Sequence, residues 1–144
     1  MIVRYVKARD TWPLRHQVLR PHQALEDCDY PNDRNPESFH LGAFEEDRLI
    51  AVGSFYKEGN ALLPGWSQWR LRGMAVVPEF RSRKVGSALL TFALDQLQAK
   101  GVDLLWCHAR ETAQRFYRMH GFVTHGARFP IEGIGDHFVM HRKP

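Results

Sequence analysis

Hydrophobic and polar positions follow two rhythms along the chain. A period of two, the signature of strands, runs through "IVRYVK" (2–7), "FHLGAFEEDRLIAVGSFY" (39–56) and "SQWRLRGMAVV" (67–77). It returns in "FVTHGARF" (122–129) and "HFVMHR" (137–142), and "VDLLWC" (102–107) reads as a strand from its continuous apolar character. The second of these runs is broken by the acidic turn Glu46-Asp47-Arg48 and reads as a hairpin of two strands. In the third, Trp69, Leu71, Ala75 and Val77 share one face, and Arg70, Arg72, Met74 and Val76 the other. Gly73 sits between them, where a glycine marks a bulge or the close approach of a ligand. "VDLLWC" is apolar on both faces and therefore reads as buried on both.

The helical rhythm is strongest over "VGSALLTFALDQLQAK" (85–100). Val85, Leu89, Phe92 and Leu97 make a stripe there, Ala88 and Ala93 widen it, and Gly101 is placed to stop it. A second helix is predicted around "TAQRFYRMH" (112–120), ended by Gly121. A third, "TWPLRHQVL" (11–19), carries Leu14, Val18 and Leu19, with Asp10 or Thr11 as cap and Pro13 in its first turn. Pro21 ends it and biases Arg20 toward an extended backbone. Residues 22–38 are mostly turn formers with room for one brief helical turn, and so read as a long surface connection. Strand, helix, hairpin, strand, helix, strand, helix and two strands is an α/β order with a mixed sheet.

Composition narrows this picture. A chain of 144 residues with 44% hydrophobic and 25% charged residues reads as a single domain, residues 1–144, with a full core. There is no apolar run long enough to span a bilayer and no apolar segment of the secretory type at the start, so a cytoplasmic protein without membrane contact is expected. Cys28 and Cys107 are too few for a disulfide framework or zinc ribbon; Cys107 reads as a small core residue. His137 and His141 share a strand face but lie ~13 Å apart at about 3.3 Å per residue, so no metal site is expected. The net charge of +4 favours anionic partners. Its scattered distribution, with no stacking or helix-turn-helix signature, argues against nucleic acid.

Two stretches carry chemistry. In "VVPEFRSRKVGSALL" a strand ends at Val77, a basic turn follows, and a helix starts near Val85. Unpaired N–H groups at such a start attract anions, Gly86 permits a close approach, and Arg81, Arg83 and Lys84 add charge. A merely solvated basic turn is the plainer alternative. In "CHARETAQRFYRMHGF", Ala113, Phe116, Tyr117 and His120 fall on one helix face. Tyr117 is then either a core tyrosine or a phenol that donates a proton to a leaving group.

These two stretches in this order resemble the acetyl-CoA core of the GNAT N-acetyltransferases. The common pattern there is Arg or Gln, two residues, Gly, one residue, then Gly or Ala. Here it runs Arg81, Ser82, Arg83, Lys84, Val85, Gly86, with lysine in place of the first glycine. "LRHQVLRP", "FHLGAF", "LRGMA", "LLWCHAR" and "GDHFVM" extend the likeness over nearly the whole chain, toward the bacterial subgroup of glyphosate N-acetyltransferase, which shares the lysine. The resemblance implies a GNAT fold: a mixed, mostly antiparallel sheet of about seven strands, splayed at its central strands and flanked by about four helices.

It further implies direct transfer of acetyl from acetyl-CoA to a primary amine, without a metal. Met74, Ala75 and Val76 would line the thioester, and Arg81, Ser82, Arg83, Lys84, Val85, Gly86 and Ser87 the pyrophosphate. Thr112 and Phe116 would complete the cofactor site. Tyr117 matches the family acid and His137, in the "GIGDH" context, the subgroup's base; Asp136 replaces a usual proline. Arg20, Arg72 and Arg110 match three arginines that hold a small anionic amino acid, by paired hydrogen bonds. Glu111, where the subgroup has a hydroxyl residue, is positioned to pair with Arg110 and blunt that binding. A monomer or homodimer acting on a small anionic amine is thus expected. The alternatives are a cationic amine or peptide acceptor, with Glu26, Asp27 and Asp29 as its site, and a non-catalytic acyl-CoA-binding regulatory module.

Overall fold

The computed structural model describes all residues, Met1–Pro144. Seven strands form one sheet: β1 (Ile2–Val6), β2 (Phe39–Glu45), β3 (Arg48–Tyr56), β4 (Gln68–Val76), β5 (Leu104–Arg110), β6 (Val123–Ile131) and β7 (Gly135–Arg142). Their order is β1-β2-β3-β4-β5-β7-β6. Every neighbouring pair is antiparallel except β4 and β5. The helices are α1 (Ala8–Leu14), α2 (Val85–Ala99) and α3 (Gln114–Met119). No helix is long and apolar enough to cross a membrane.

Three helices stand where about four were expected. Residues 22–38, bounded by Pro21 and interrupted by Pro31 and Pro36, yield only two single 3₁₀ turns, Leu25–Cys28 and Pro31–Arg34. Their Asp and Asn side chains bond to the local backbone instead: Asp27 accepts from Ala24 N–H and Asn35 from Glu37 N–H. The first helix also begins earlier than the cap residues suggested. Asp10 accepts from the N–H of Lys7 at 3.1 Å, which makes Lys7 the boundary residue and leaves Pro13 inside the helix. Past Pro13, which has no N–H to give, the chain winds as a π-helix over Arg15–Leu19.

The layering follows from side-chain parity. A Cβ at Gly53 would meet Leu89 of α2, whereas Ser54 and Tyr56 bond to Arg15 beyond α1. Helices therefore cover both faces of β3, and its run from Ile50 to Tyr56 is buried without a break. α2 buries Val85, Leu89, Leu90, Ala93 and Leu97, each such aliphatic side chain larger than alanine contributing about 1.5–3 kcal/mol. Gly101, at φ +78°, turns the chain into β5.

The central strands part. β4 and β5 pair only from Gln68↔Leu104 to Arg70↔Trp106, and beyond this Leu71–Val76 and Cys107–Arg110 have no partner in each other. On the other side of β4 the register with β3 shifts between Val52↔Ala75 and Ser54↔Arg72, one extra residue lying on β4. Gly73, at φ +67°, is the residue that absorbs this bulge.

Candidate active site

The turn before α2 takes an unusual backbone path. Ser82 and Lys84 both adopt left-handed conformations, at φ +64° and +62°. Lys84 thus occupies the conformation for which glycine is favoured, at roughly 1–2 kcal/mol for a residue with a Cβ. The N–H groups of Val85, Gly86 and Ser87 have no acceptor in the protein, because the first bond of α2 runs from Ala88 N to Lys84 O. Ser82, Arg83 and Lys84 are exposed on the turn, while the side chain of Val85 is core. At Gly86 a Cβ would touch the Phe116 ring at 3.4 Å and Val76 at 3.6 Å, so the missing side chain leaves the passage between β4 and α3 open.

A cavity of about 530 Å³ runs from this turn through the gap between β4 and β5. Met74, Ala75, Val76, Arg81, Gly86, Thr112, Phe116 and Tyr117 line one part of it, and Arg20, Arg72, Arg110 and His137 the other. The sequence-predicted residues outside its lining are Ser82, Arg83, Lys84, Val85 and Ser87. Of these Val85 and Ser87 offer backbone N–H groups, and the other three give the turn its charge and shape. The passage, its unpartnered N–H groups and its basic turn fit a long, phosphate-bearing thioester such as acetyl-CoA.

Five arginines line the cavity (20, 70, 72, 81 and 110) and no aspartate or glutamate does. Only Arg70 has an ion-pair partner, Glu58 at 3.0 Å. Arg20, Arg72 and Arg110 are held by other means. Arg110 donates to the carbonyl of Leu19 at 2.7 Å, and Arg20 donates to the hydroxyl of Tyr30 at 3.1 Å. The guanidinium of Arg72 lies 4.1 Å from the Tyr30 ring centroid. Burial, and then Arg70, lower the pKa of Arg72; burial, and then Arg20, lower that of Arg110.

Tyr30 gave no signal in the sequence, yet it organises this wall. Its buried ring also lies 4.1 Å from the guanidinium carbon of Arg15. Arg15 is fully buried and donates to Cys28 O, both carboxylate oxygens of Asp33, Ser54 and Tyr56 at 2.7–3.1 Å. Burial alone would raise the Asp33 pKa, but its hydrogen bonds from Arg15 and Tyr56 outweigh that and hold the carboxyl below its usual range. Removing either partner of such a pair strands a buried charge, so the pair is costly to break.

His137 is buried on β7, opposite Arg110. Its Nδ1 lies 2.8 Å from the carbonyl of Gly135. A carbonyl can only accept, so Nδ1 carries the proton and Nε2 of the neutral ring presents a lone pair. Tyr117 is likewise buried, with its phenol pushed well above its ordinary pKa by burial and by Cys107, and its hydroxyl has no protein partner. It therefore keeps its proton at neutral pH. The lining of one cavity thus includes an imidazole, a protonated phenol, the bulged strand β4 and unpaired positive charge.

Neither departure in the loops disturbs the arginines. Glu111 pairs with Arg128 at 2.9 Å, not with Arg110, and Asp136 meets the same Arg128 at 3.6 Å. Arg110 points instead toward Leu19, which leaves Glu111 exposed to solvent. Asp27 caps its own turn and Asp29 pairs with Arg34, so the acidic run lies outside the cavity. Arg70 and His108 line the cavity too; the two-residue spacing to Arg72 and Arg110 was the available signal for them. No three His, Cys, Asp or Glu side chains converge on one point.

Against known proteins, the profile described as acetyltransferase (GNAT) family matches residues 5–122. An uncharacterized N-acetyltransferase of Bacillus subtilis, YitI, is 41% identical over 140 residues, covering 97% of this chain and 94% of its own. Among solved structures, an aminoglycoside 6'-N-acetyltransferase complexed with coenzyme A superposes with a TM-score of 0.78 at 14% identity, over 99% of this chain and 97% of that one. The ribosomal-protein-S18-alanine N-acetyltransferase from Escherichia coli does so at 0.74 and 18%, over 99% and 92%. With a matched profile over most of its length and a relative of this identity, the chain belongs to the GNAT family of acetyltransferases, and is an N-acetyltransferase.

Proposed function

We propose that this enzyme, one domain over 1–144, transfers acetyl from acetyl-CoA to the primary amine of a small anionic amino compound bearing a carboxylate or phosphonate. The observation that carries this reading is a cavity lined by five arginines and no carboxylate. A protonated amine of high charge would enter it against unpaired positive charge, and an acid group would relieve that charge. Kinship with the glyphosate N-acetyltransferase subgroup is part of the same proposal.

In this reading Arg20, Arg72 and Arg110 bind the acid group of the acceptor. Nε2 of His137 takes the proton that leaves the ammonium. Backbone N–H groups near the Gly73 bulge stabilise charge on the carbonyl oxygen under attack. Tyr117 donates its proton, or a hydrogen bond, to the departing thiolate. Val85, Gly86 and Ser87 offer N–H groups to the pyrophosphate, with Arg81, Arg83 and Lys84 supplying charge. Met74, Ala75, Val76, Thr112 and Phe116 form the walls of the thioester channel. A cationic or peptide acceptor lacks a carboxylate in the cavity to recognise it. A non-catalytic acyl-CoA-binding module would have no use for a buried imidazole lining the cavity.

The test is steady-state acetylation of carboxy- and phosphono-amino acids against polyamines and aminoglycosides, with the His137→Ala enzyme alongside. Turnover of the acidic amines is expected, falling about 10²–10⁴-fold in the variant while acetyl-CoA affinity is kept. Turnover of polyamines alone overturns the acceptor assignment, and an unaffected variant removes His137 from its role.

A further inference from the structure

His108 faces the cavity from β5, where it stands opposite Val139, while His137 stands opposite Arg110. The two imidazoles are diagonal neighbours on adjoining strands, about 7 Å apart at the backbone level. Their hydrogen bonds fix opposite tautomers. Nδ1 of His108 lies 3.3 Å from an NH₂ group of Arg70. A guanidinium can only donate, so this Nδ1 accepts and the proton of the neutral ring sits on Nε2.

The arrangement is built rather than incidental. Arg70 is held by Glu58 at 3.0 Å and lies 4.9 Å from the Trp106 ring centroid. The His108 ring is fixed between Trp106 and Phe129, at 5.3 and 5.0 Å between centroids. The groups that act on it are Arg70, His137 and Arg72, which oppose its protonation, and Glu58, which favours it. Burial dominates, and the pKa falls to about 4. Nε2–H has no acceptor in the protein and is not enclosed by it.

We propose that His108 is an acceptor-binding residue: its Nε2–H, held in place by Arg70, donates to an anionic oxygen of the amino substrate whose amine faces Nε2 of His137. The inference rests on the anionic-acceptor reading and sharpens it. One imidazole gives a proton in a hydrogen bond while its neighbour receives one, which selects acceptors carrying an amine and an acid group close together. Nothing in this role asks His108 to titrate, so it adds no limb to the pH profile.

The test uses the full-length enzyme with a carboxy- or phosphono-amino acid as acceptor, in wild-type, His108→Leu and His108→Gln forms. Two-bond ¹H–¹⁵N spectra of the wild-type imidazoles run in parallel. In His108→Leu the acceptor KM is expected to rise about tenfold to a hundredfold, the loss of a hydrogen bond to a charged group. The acetyl-CoA KM and the pH profile of kcat should stay as they were. Glutamine, whose amide nitrogen reaches the position of Nε2 and can donate, recovers most of the loss. The spectra should report the Nε2–H form of His108 at neutral pH and a shift of that nitrogen on adding the acceptor. An acceptor KM within twofold of wild type in His108→Leu, or an Nδ1–H tautomer, overturns the proposal. So does a glutamine variant that folds but performs as poorly as the leucine one. If the wild-type enzyme acetylates no acidic amine, the anionic-acceptor reading falls and this subsite with it; if it does and His108→Leu is unaffected, only the subsite falls.

Discussion

Replacing Gly73 by alanine isolates how rigidly the site is supported from beneath. At φ +67° the new Cβ meets a left-handed conformation, at roughly 1–2 kcal/mol, offset by about 0.5–1 kcal/mol from the less flexible unfolded chain. That Cβ would also stand 3.2 Å from Nε of Arg15 and 3.4 Å from Cε2 of Tyr30. Arg15 cannot step aside without straining bonds to Asp33, Ser54, Tyr56 and Cys28. Displacing it adds about 1–2 kcal/mol, the usual range for an overpacked interior. Gly126 provides the control, since at φ +78° it has nothing within 4 Å of a built Cβ. Gly126→Ala should therefore cost about 1 kcal/mol and Gly73→Ala about 2–3 kcal/mol. Urea unfolding followed by tryptophan fluorescence measures both. Turnover should fall only in Gly73→Ala, because only that substitution disturbs the bulge and the Tyr30 platform. Equal losses for the two variants would refute the reasoning, since Arg15 would then be free to yield.

Tyr117→Phe removes a hydroxyl with no protein partner, so stability should stay within about 0.5 kcal/mol while kcat drops about 10²-fold; a thermal melt and a thiol-release assay read the two. Glu111→Gln breaks an exposed pair with Arg128 and should change stability by less than about 1 kcal/mol, leaving the acceptor KM alone because Arg110 never depended on it. Stability should decline on acidification. His40 and His108 have pKa values lowered by burial, to about 4 for His108, so below the unfolded value near 6.5 the unfolded chain takes up protons first. Asp33, whose pKa is also lowered, contributes stability that is present above its unfolded value near 4 and lost as pH falls through the folded one. Unfolding free energies from urea titrations between pH 7 and 4 should thus fall steadily by about 2–3 kcal/mol, and a flat series over that range would contradict the burial of both histidines.

Regular elements were legible because their physics is local. The strand rhythm located all seven strands, and the parity of β4 already put Arg70 and Arg72 on one face and Gly73 at the irregularity. The stripe of α2 was legible for the same reason, although Leu90 is buried where Phe92 was expected to be. What escaped was decided by partners distant in sequence. Tyr30 sits in a stretch of turn formers, and its place between Arg15 and Arg72 depends on residues from three segments. Arg15 carried no signal within the helical stretch 11–19; its burial follows from Asp33, eighteen positions away. Glu111 was read against its sequence neighbour Arg110, whereas the sheet brings Arg128 across to it. The roles proposed for His137 and Tyr117 came through resemblance, and the tautomer of His137 only through the Gly135 carbonyl.

The parting of β4 and β5 has a consequence for solubility. A sheet normally exposes two edges, which proteins guard against strand addition and aggregation. Here Leu71–Val76 and Cys107–Arg110 are two more, inside the sheet rather than at its margins. Arg72 and Arg110 stand beside these inner edges with no carboxylate to neutralise them, so an apolar strand arriving there would have to bury unpaired charge. The arginines proposed to bind the acid group of the acceptor thus also guard the opened sheet against closure by another chain.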